Sequence, residues 1–129
     1  MPRRELVVVT DQVPRSGYPA EVVGVAVTTV DWNDIRRLVS LGDRSVLIDL
    51  DLRDIAKVKT IKDNLPSRGH DQCRLVAIDR SSHFAAVQAY GLGATDLLKR
   101  PIDIHELSVV LHRHFGQGAV RGQPMPDYS

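Results

Sequence analysis

Apolar runs of strand length alternate with helical patterns along most of the chain, and this alternation limits the fold more than any other feature. The runs occupy residues 6–9, 22–30, 46–50, 75–78 and 96–99. Apolar residues at helical spacing follow every run except the first. Strand and helix in regular alternation are typical of a parallel sheet covered by helices on both faces. The sequence therefore predicts a doubly wound α/β fold, a three-layer sandwich around five parallel strands.

The helix expected after the first strand is shortened or missing. Pro14, Gly17 and Pro19 lie between the first two runs, and they interrupt backbone hydrogen bonding too often for a helix of more than about one turn. We therefore expect one flank of the sheet to be uncovered there. A partner subunit, a rearranged loop at 12–21 or the C-terminal tail would cover it.

Two helices carry further expectations about single residues. Asp31 is expected to cap the helix that follows it, and Asp103 with Glu106 forms a capping box for the last helix. In the helix at 55–65, Lys57 is assigned to the outer face, because the apolar residues of that helix recur at other positions.

The length and composition predict one domain with a tail. The chain has 129 residues, 43% of them hydrophobic, and this length can bury a core without support from a metal or a disulfide. Residues 116–129 contain Gly and Pro without apolar periodicity. We assign residues 1–115 to the domain and 116–129 to a flexible tail or a linker to a further domain.

Composition also argues against several classes of protein. A net charge of +1 and 5% aromatic residues offer little for direct nucleic-acid binding. The apolar runs are far shorter than the roughly 20 residues that span a bilayer, and no signal-peptide pattern follows the first residues. The single cysteine, Cys73, cannot form an internal disulfide, which favours a reducing compartment. We expect a cytoplasmic protein without membrane association.

Three acidic residues follow strands of the predicted sheet. Asp11, Asp49 and Asp79 each come at or just after the end of an apolar run. The carboxyl ends of parallel strands meet at one edge of the sheet, where ligands bind in open α/β folds. Three carboxylates at one edge need a compensating cation.

Two segments resemble the receiver domain of two-component response regulators, and the resemblance spans about residues 5–115. Residues 46–52, VLIDLDL, are similar to the phosphoacceptor strand of that family, and residues 93–101, GATDLLKRP, are similar to its Gly-Ala-Asp-Asp-Tyr-Leu-x-Lys-Pro segment. The resemblance implies a flavodoxin-like receiver fold with Asp49 as the phosphoacceptor. It also implies that Asp11 and Asp49 hold Mg²⁺, and that the peptide bond before Pro101 is cis.

Several residues depart from the pattern of the family. Asp79 stands where the family has a Thr or Ser hydroxyl that contacts the phosphoryl group, and Leu97 stands where it has an aromatic residue. Arg100 replaces the lysine before the proline, with Lys99 adjacent if the strand slips by one residue. Thr10 replaces the first acid of the usual pair.

These departures argue against ordinary phosphorylation. A phosphoryl group carries about −1.5 to −2 charge, and ionised Asp79 about 5 Å away would repel it by about 3 kcal/mol per unit charge at an effective dielectric constant of about 20. The planar guanidinium of Arg100 is suited to bridging Asp49 and Asp79. We therefore predict a pocket whose acids are permanently neutralised.

The leading interpretation is a degenerate receiver that acts in signal transduction as a protein-interaction, dimerisation or regulatory module. No enzyme activity and no cofactor are expected. One alternative is a phosphorylatable receiver that uses Asp49 and Mg²⁺. The other is a sensor that binds a nucleotide or second messenger near Arg53, Arg80 and Arg100, since arginine suits phosphate groups.

The expected partners are proteins. They are a histidine kinase, or an output domain that is separate or fused after Ser129, and a second copy of the chain. The resemblance places the self-association surface on the helix at 82–90, the strand at 96–99 and the last helix. This surface would include Val87, Tyr90, Leu92, Lys99 and the outer side of residues 106–113.

Overall fold

The computed structural model describes residues 4–11, 17–41, 44–67, 72–79 and 83–116. The strands are β1 (Glu5–Thr10), β2 (Glu21–Val22), β3 (Val25–Asp31), β4 (Ser45–Asp49), β5 (Arg74–Ile78) and β6 (Asp96–Lys99). The helices are α1 (Ile35–Val39), α2 (Ile55–Asn64), α3 (His83–Gly91) and α4 (Ile104–Leu111), and a π-helical turn (His112–Gly116) follows α4.

The strands form one sheet in the order β2-β3-β1-β4-β5-β6. The five longer strands are parallel, and β2 alone pairs antiparallel. The predicted flavodoxin-like α/β fold and its five parallel strands are therefore confirmed. The strand order reverses at β1. The carboxyl ends of β1 and its neighbours therefore form the edge where such folds place their sites, and we call it the carboxyl edge.

The sheet has six strands rather than five, because the second apolar run is a hairpin. Val23 and Gly24 both have positive φ angles, 43° and 82°, which are the angles of a two-residue hairpin turn. Residues 21–22 therefore fold back on β3 as the short edge strand β2. The run at 22–30 was wrongly interpreted as one strand because its apolar residues continue through the turn.

Each face of the sheet buries a separate apolar cluster. Alternate residues of β1 point to opposite faces, so Val7 joins one cluster and Leu6 the other. Helices α1, α2 and α3 cover the first cluster, and α4 covers the second together with β2. This arrangement is the three-layer sandwich that the sequence predicted.

The chain before β2 covers part of the face on which α4 lies. Tyr18 packs against the second cluster, to which Val22 of β2 also belongs. In the described part of this connection, residues 11 and 17–20, the backbone is not helical. A partner subunit, the loop at 12–21 and the tail were the three expected covers of this flank, and the described residues show part of the loop there. The tail, which begins at Gly116, lies outside the described residues from 117 onward.

Aspartates cap the N-termini of three of the described helices. The side chain of Asp54 accepts the backbone N–H of Lys57 at the start of α2, and Asp103 caps α4 as expected. Helix α1 is capped by Asp34 rather than by Asp31, which is the last residue of β3. None of the helices in the described ranges has the length and apolar composition of a membrane span.

Candidate functional site

The fold brings the three strand-end acids to the same edge of the sheet. Asp49 is the last residue of β4, while Asp11 and Asp79 directly follow β1 and β5. Strands β1 and β5 flank β4 in parallel, and Thr10 is the register partner of Asp49. Thr10 itself is buried. The predicted juxtaposition of the acids therefore follows from the strand order.

Both carboxylate oxygens of Asp49 accept hydrogen bonds from side chains. The Nε of Arg100 donates to Oδ1 over 3.0 Å, and the hydroxyl of Tyr18 donates to Oδ2 over 2.7 Å. Only 16% of the Asp49 side chain is exposed. The guanidinium bond joins two opposite charges in a partly buried place, which makes it stronger than a neutral hydrogen bond.

Arg100, and not Lys99, supplies the cation at Asp49. Lys99 pairs in register with Ile78, and the backbone N–H of Arg100 then donates to the carbonyl of Ile78 over 2.9 Å. The ladder therefore shows no slip by one residue. Lys99 is exposed, and the peptide bond between Arg100 and Pro101 is cis, as expected.

Tyr18 is a site residue that sequence reasoning missed. Its hydroxyl reaches Asp49 while its ring packs on the second apolar cluster. Burial raises the pKa of the Tyr18 phenol, and the hydrogen bond to Asp49 raises it further. The sequence did contain a signal for it. Tyr18 is the one aromatic residue between Asp11 and Glu21, and an aromatic ring in that loop is well suited to cover the flank of the sheet that the missing helix leaves open.

Lys57 holds the second acid and was wrongly assigned to the outer face of its helix. Its Nζ lies 2.6 Å from Oδ2 of Asp11 and 3.8 Å from Oδ2 of Asp54. Lys57 stands in the first turn of α2, where side chains lean toward the helix N-terminus and hence toward the end of β1. The hydrogen bond from Lys57 to Asp11 raises the pKa of the Lys57 ammonium.

Asp79 pairs with a different arginine from the one that the sequence suggested. The guanidinium of Arg53 forms two bonds to Asp51, of 3.0 and 3.1 Å, and its Nη2 lies 4.0 Å from Asp79. The bond from Arg53 lowers the pKa of Asp51 to about 2. The predicted bridge of Arg100 between Asp49 and Asp79 is therefore wrong among the described residues: Arg100 pairs with Asp49 alone.

The exposure of Asp79 explains this difference. Its side chain is 45% exposed, so water screens its charge and it needs no buried partner. The same screening weakens the repulsion that Asp79 would exert on a phosphoryl group at Asp49. Asp49, by contrast, forms an ion pair with Arg100 and accepts a hydrogen bond from Tyr18.

The donor set at this edge does not fit the Mg²⁺ ion that the receiver resemblance implies. Mg²⁺ requires near-octahedral oxygen ligands, with one or two carboxylates that can turn toward it. The carboxylate of Asp11 is bonded to Lys57, and that of Asp49 is bonded to Arg100 and Tyr18. In the described ranges, no three His, Cys, Asp or Glu residues form a group that could hold a metal ion.

The hydrogen bond from Tyr18 to Asp49 should stabilise the fold and make its stability depend on pH. Tyr18→Phe removes a donor to a carboxylate, and we expect the free energy of unfolding to fall by about 1.5–3 kcal/mol. The folded protein keeps the Tyr18 proton at a pH where the unfolded chain releases it. The contribution of Tyr18 to the free energy of unfolding should therefore be complete below about pH 10 and decrease at higher pH. In Tyr18→Phe, this part of the decrease should be absent.

Urea titrations at several pH values measure both effects. The matched control is Tyr90→Phe, because the Tyr90 side chain is exposed and its hydroxyl has no hydrogen-bond partner among the described residues. We expect this control to behave as the wild type does. Equal effects of the two substitutions would contradict the importance of the Tyr18 bond.

No family model and no curated protein matches the sequence, but solved structures match the fold. A pilus assembly-related protein from Burkholderia pseudomallei is 22% identical with a TM-score of 0.57, over 88% of this chain and 90% of that one. NtrX from Brucella abortus, in complex with ATP, is 21% identical with a TM-score of 0.60, over 93% of this chain and 28% of NtrX.

A third match is the signal receiver domain of a LuxO repressor protein from Vibrio parahaemolyticus. It is 20% identical with a TM-score of 0.56, and the match covers 94% of this chain and 99% of that domain. At such identities the likeness concerns the fold and not the chemistry. It agrees with the strand order of the sheet. The chain has the fold of a receiver domain.

Proposed function

We propose that this chain is a degenerate receiver domain, a regulatory module of signal transduction that acts through protein contacts and is not phosphorylated in the usual way. The observation that carries the proposal is the bonding of Asp49. One oxygen of its carboxylate accepts from Arg100 and the other from Tyr18. The group that would act as nucleophile in an ordinary receiver is thus already neutralised and bonded.

The chemistry of phosphoryl transfer explains why this matters. An aspartate attacks a phosphodonor only when a cation brings the two anions together and donors receive the transferred oxygens. Hydrogen bonds to a charged group contribute about 1.5–3 kcal/mol each, and both bonds to Asp49 compete with the transfer. Asp79, at the position of the usual hydroxyl, adds an acceptor where the reaction needs a donor.

The two alternatives have weaker support. A phosphorylatable receiver would need Arg100 and Tyr18 to leave Asp49 and a metal ion to displace Lys57 from Asp11. A nucleotide sensor would need free guanidinium groups, but Arg53 is bonded to Asp51 and Arg100 to Asp49. Arg80 lies outside the described residues. The ATP complex is a property of NtrX, of which this chain matches 28%.

Incubation with Mg²⁺ and acetyl phosphate, followed by intact-mass measurement, tests the proposal. We expect the wild type and Asp49→Asn each to keep the mass calculated from its own sequence, with no added phosphoryl group. A receiver domain that retains the complete set of acid, hydroxyl and lysine residues serves as the positive control for the phosphodonor. A gain of one phosphoryl group by the wild type that Asp49→Asn abolishes would contradict the proposal.

A surface on α3 and α4 is the proposed contact site for a second copy of the chain. Val87 and Tyr90 of α3 are 58% and 64% exposed, and Val109 of α4 is half exposed. These helices precede and follow the edge strand β6, and exposed apolar residues around such an edge are a common mark of a protein interface. Lys99 is exposed nearby, whereas Leu92 is buried and was wrongly included in the predicted surface.

Substitution of Tyr90 tests this surface. We expect the wild type to self-associate in sedimentation experiments, and Tyr90→Asp to be monomeric at the same concentrations because the charge would be desolvated in the interface. Val39→Asp, which alters an equally apolar exposed position on α1, should associate as the wild type does. A wild type that stays monomeric at all concentrations would exclude self-association through this surface.

A further inference from the structure

The ammonium group of Lys57 is enclosed by three side chains. Its Nζ bonds to Oδ2 of Asp11 over 2.6 Å and lies 3.8 Å from Oδ2 of Asp54. On a third side, the ring of Trp32 has its centroid 5.5 Å from Nζ, within the range of a cation–π contact. Two carboxylates and one indole ring therefore surround the Lys57 ammonium group.

The backbone determines where each of these groups stands. Asp54 caps α2 by accepting the backbone N–H of Lys57, which places Lys57 in the first turn, next to the carboxyl edge. The backbone N–H of Trp32 donates to the carbonyl of Thr10 over 3.1 Å, which holds the indole beside the end of β1. Asp11 follows Thr10 directly. The enclosure therefore depends on the ends of β1, β3 and α2 and not on a flexible loop.

Lys57 places a positive charge inside an acidic cluster. Its ammonium lies at hydrogen-bond distance from Asp11 and within ion-pair distance of Asp54. A divalent ion that approached Asp11 would meet this positive charge at hydrogen-bond distance from the carboxylate.

The second oxygen of Asp11 supports the same view. Oδ1 of Asp11 is buried and has no hydrogen-bond partner in the described part of the chain. A hydrated Mg²⁺ ion keeps several of its waters when it binds, and a buried oxygen offers no room for them. The oxygen that could be reached, Oδ2, is the one bonded to Lys57.

We infer that Lys57 is a built-in counter-ion that takes the place of a divalent cation at Asp11 and keeps such ions out. The inference rests on the proposed function, because it explains how a receiver fold retains its acidic edge without a metal ion. It adds a statement about regulation. The arrangement of the acids at this edge is independent of the divalent-ion concentration.

The replacement of Lys57 by methionine provides the main test. Lys57→Met keeps an apolar stem against Trp32 and removes the charge from Asp11. We expect saturating Mg²⁺ or Mn²⁺ to raise the melting temperature of this variant by roughly 3 °C or more, as linkage predicts for an ion that binds only the folded state. The wild type should show no such rise, and Asp11→Asn in the Lys57→Met background should remove it.

Lys59→Met is the matched control. Lys59 lies on the same helix, but it is exposed and pairs with Asp63. We therefore expect Mg²⁺ or Mn²⁺ to cause no rise in the melting temperature of Lys59→Met. Lys57→Gln provides a second uncharged variant if the methionine variant does not fold. The wild type can also be tested alone, because bound Mn²⁺ broadens the NMR signals of residues near it.

Two results would overturn the inference. The first is selective Mn²⁺ broadening around Asp11 in the wild type, or a rise of its melting temperature with Mg²⁺ that Asp11→Asn abolishes. The second is a folded Lys57→Met or Lys57→Gln variant that binds no divalent ion. Neither experiment uses a phosphodonor, so their failure would leave the unmodified mass of the wild type, and with it the proposed function, unaffected.

Discussion

The carboxylate of Asp49 is the group on which the arrangement of the carboxyl edge depends. Its two donors come from distant parts of the chain: Tyr18 from the segment before β2, and Arg100 from the end of β6. One side chain at the centre of the sheet therefore connects the covering loop of one face with the turn that leads into α4. A modification of Asp49 would disturb both connections at once.

Each acid of this edge has a cation from the chain itself, and burial decides how much each pair contributes. The pairs of Asp49 with Arg100 and of Asp11 with Lys57 are mostly shielded from water, so separating them would leave a poorly solvated charge. The pair of Arg53 with Asp51 is exposed, and such pairs contribute little to stability. The negative charges of this edge are therefore balanced by cations of the same chain, and the better shielded ion pairs are those of Asp11 and Asp49.

The sequence predicted the parts of the fold that periodicity determines. Alternating strand and helix patterns led to the five parallel strands, and strand-end positions led to the edge shared by Asp11, Asp49 and Asp79. The hairpin at Val23 was missed because apolar residues continue through a turn whose positive φ angles only the backbone shows. The cap of α1 shifted from Asp31 to Asp34 because β3 extends further than its apolar run suggests.

The partners of the acids could not be read from the sequence, because each depends on how far a side chain reaches in space. Tyr18 is 31 residues from Asp49, and Lys57 is 46 residues from Asp11. Helical spacing assigned Lys57 to the outer face, yet in the first turn of a helix a long side chain can reach back to a neighbouring strand. Arg100 was identified because its position before Pro101 resembles a known motif, which carries tertiary information that periodicity lacks.

The bonding of Asp49 can be seen in a crystal structure of the protein grown with Mg²⁺ and beryllium fluoride, a mimic of the phosphoryl group. We expect Asp49 to stay bonded to Arg100 and Tyr18, with no beryllium fluoride on its carboxylate and with Lys57 still bonded to Asp11. A beryllium fluoride group on Asp49, with a metal ion beside it and Arg100 turned away, would show that Asp49 is open to phosphorylation.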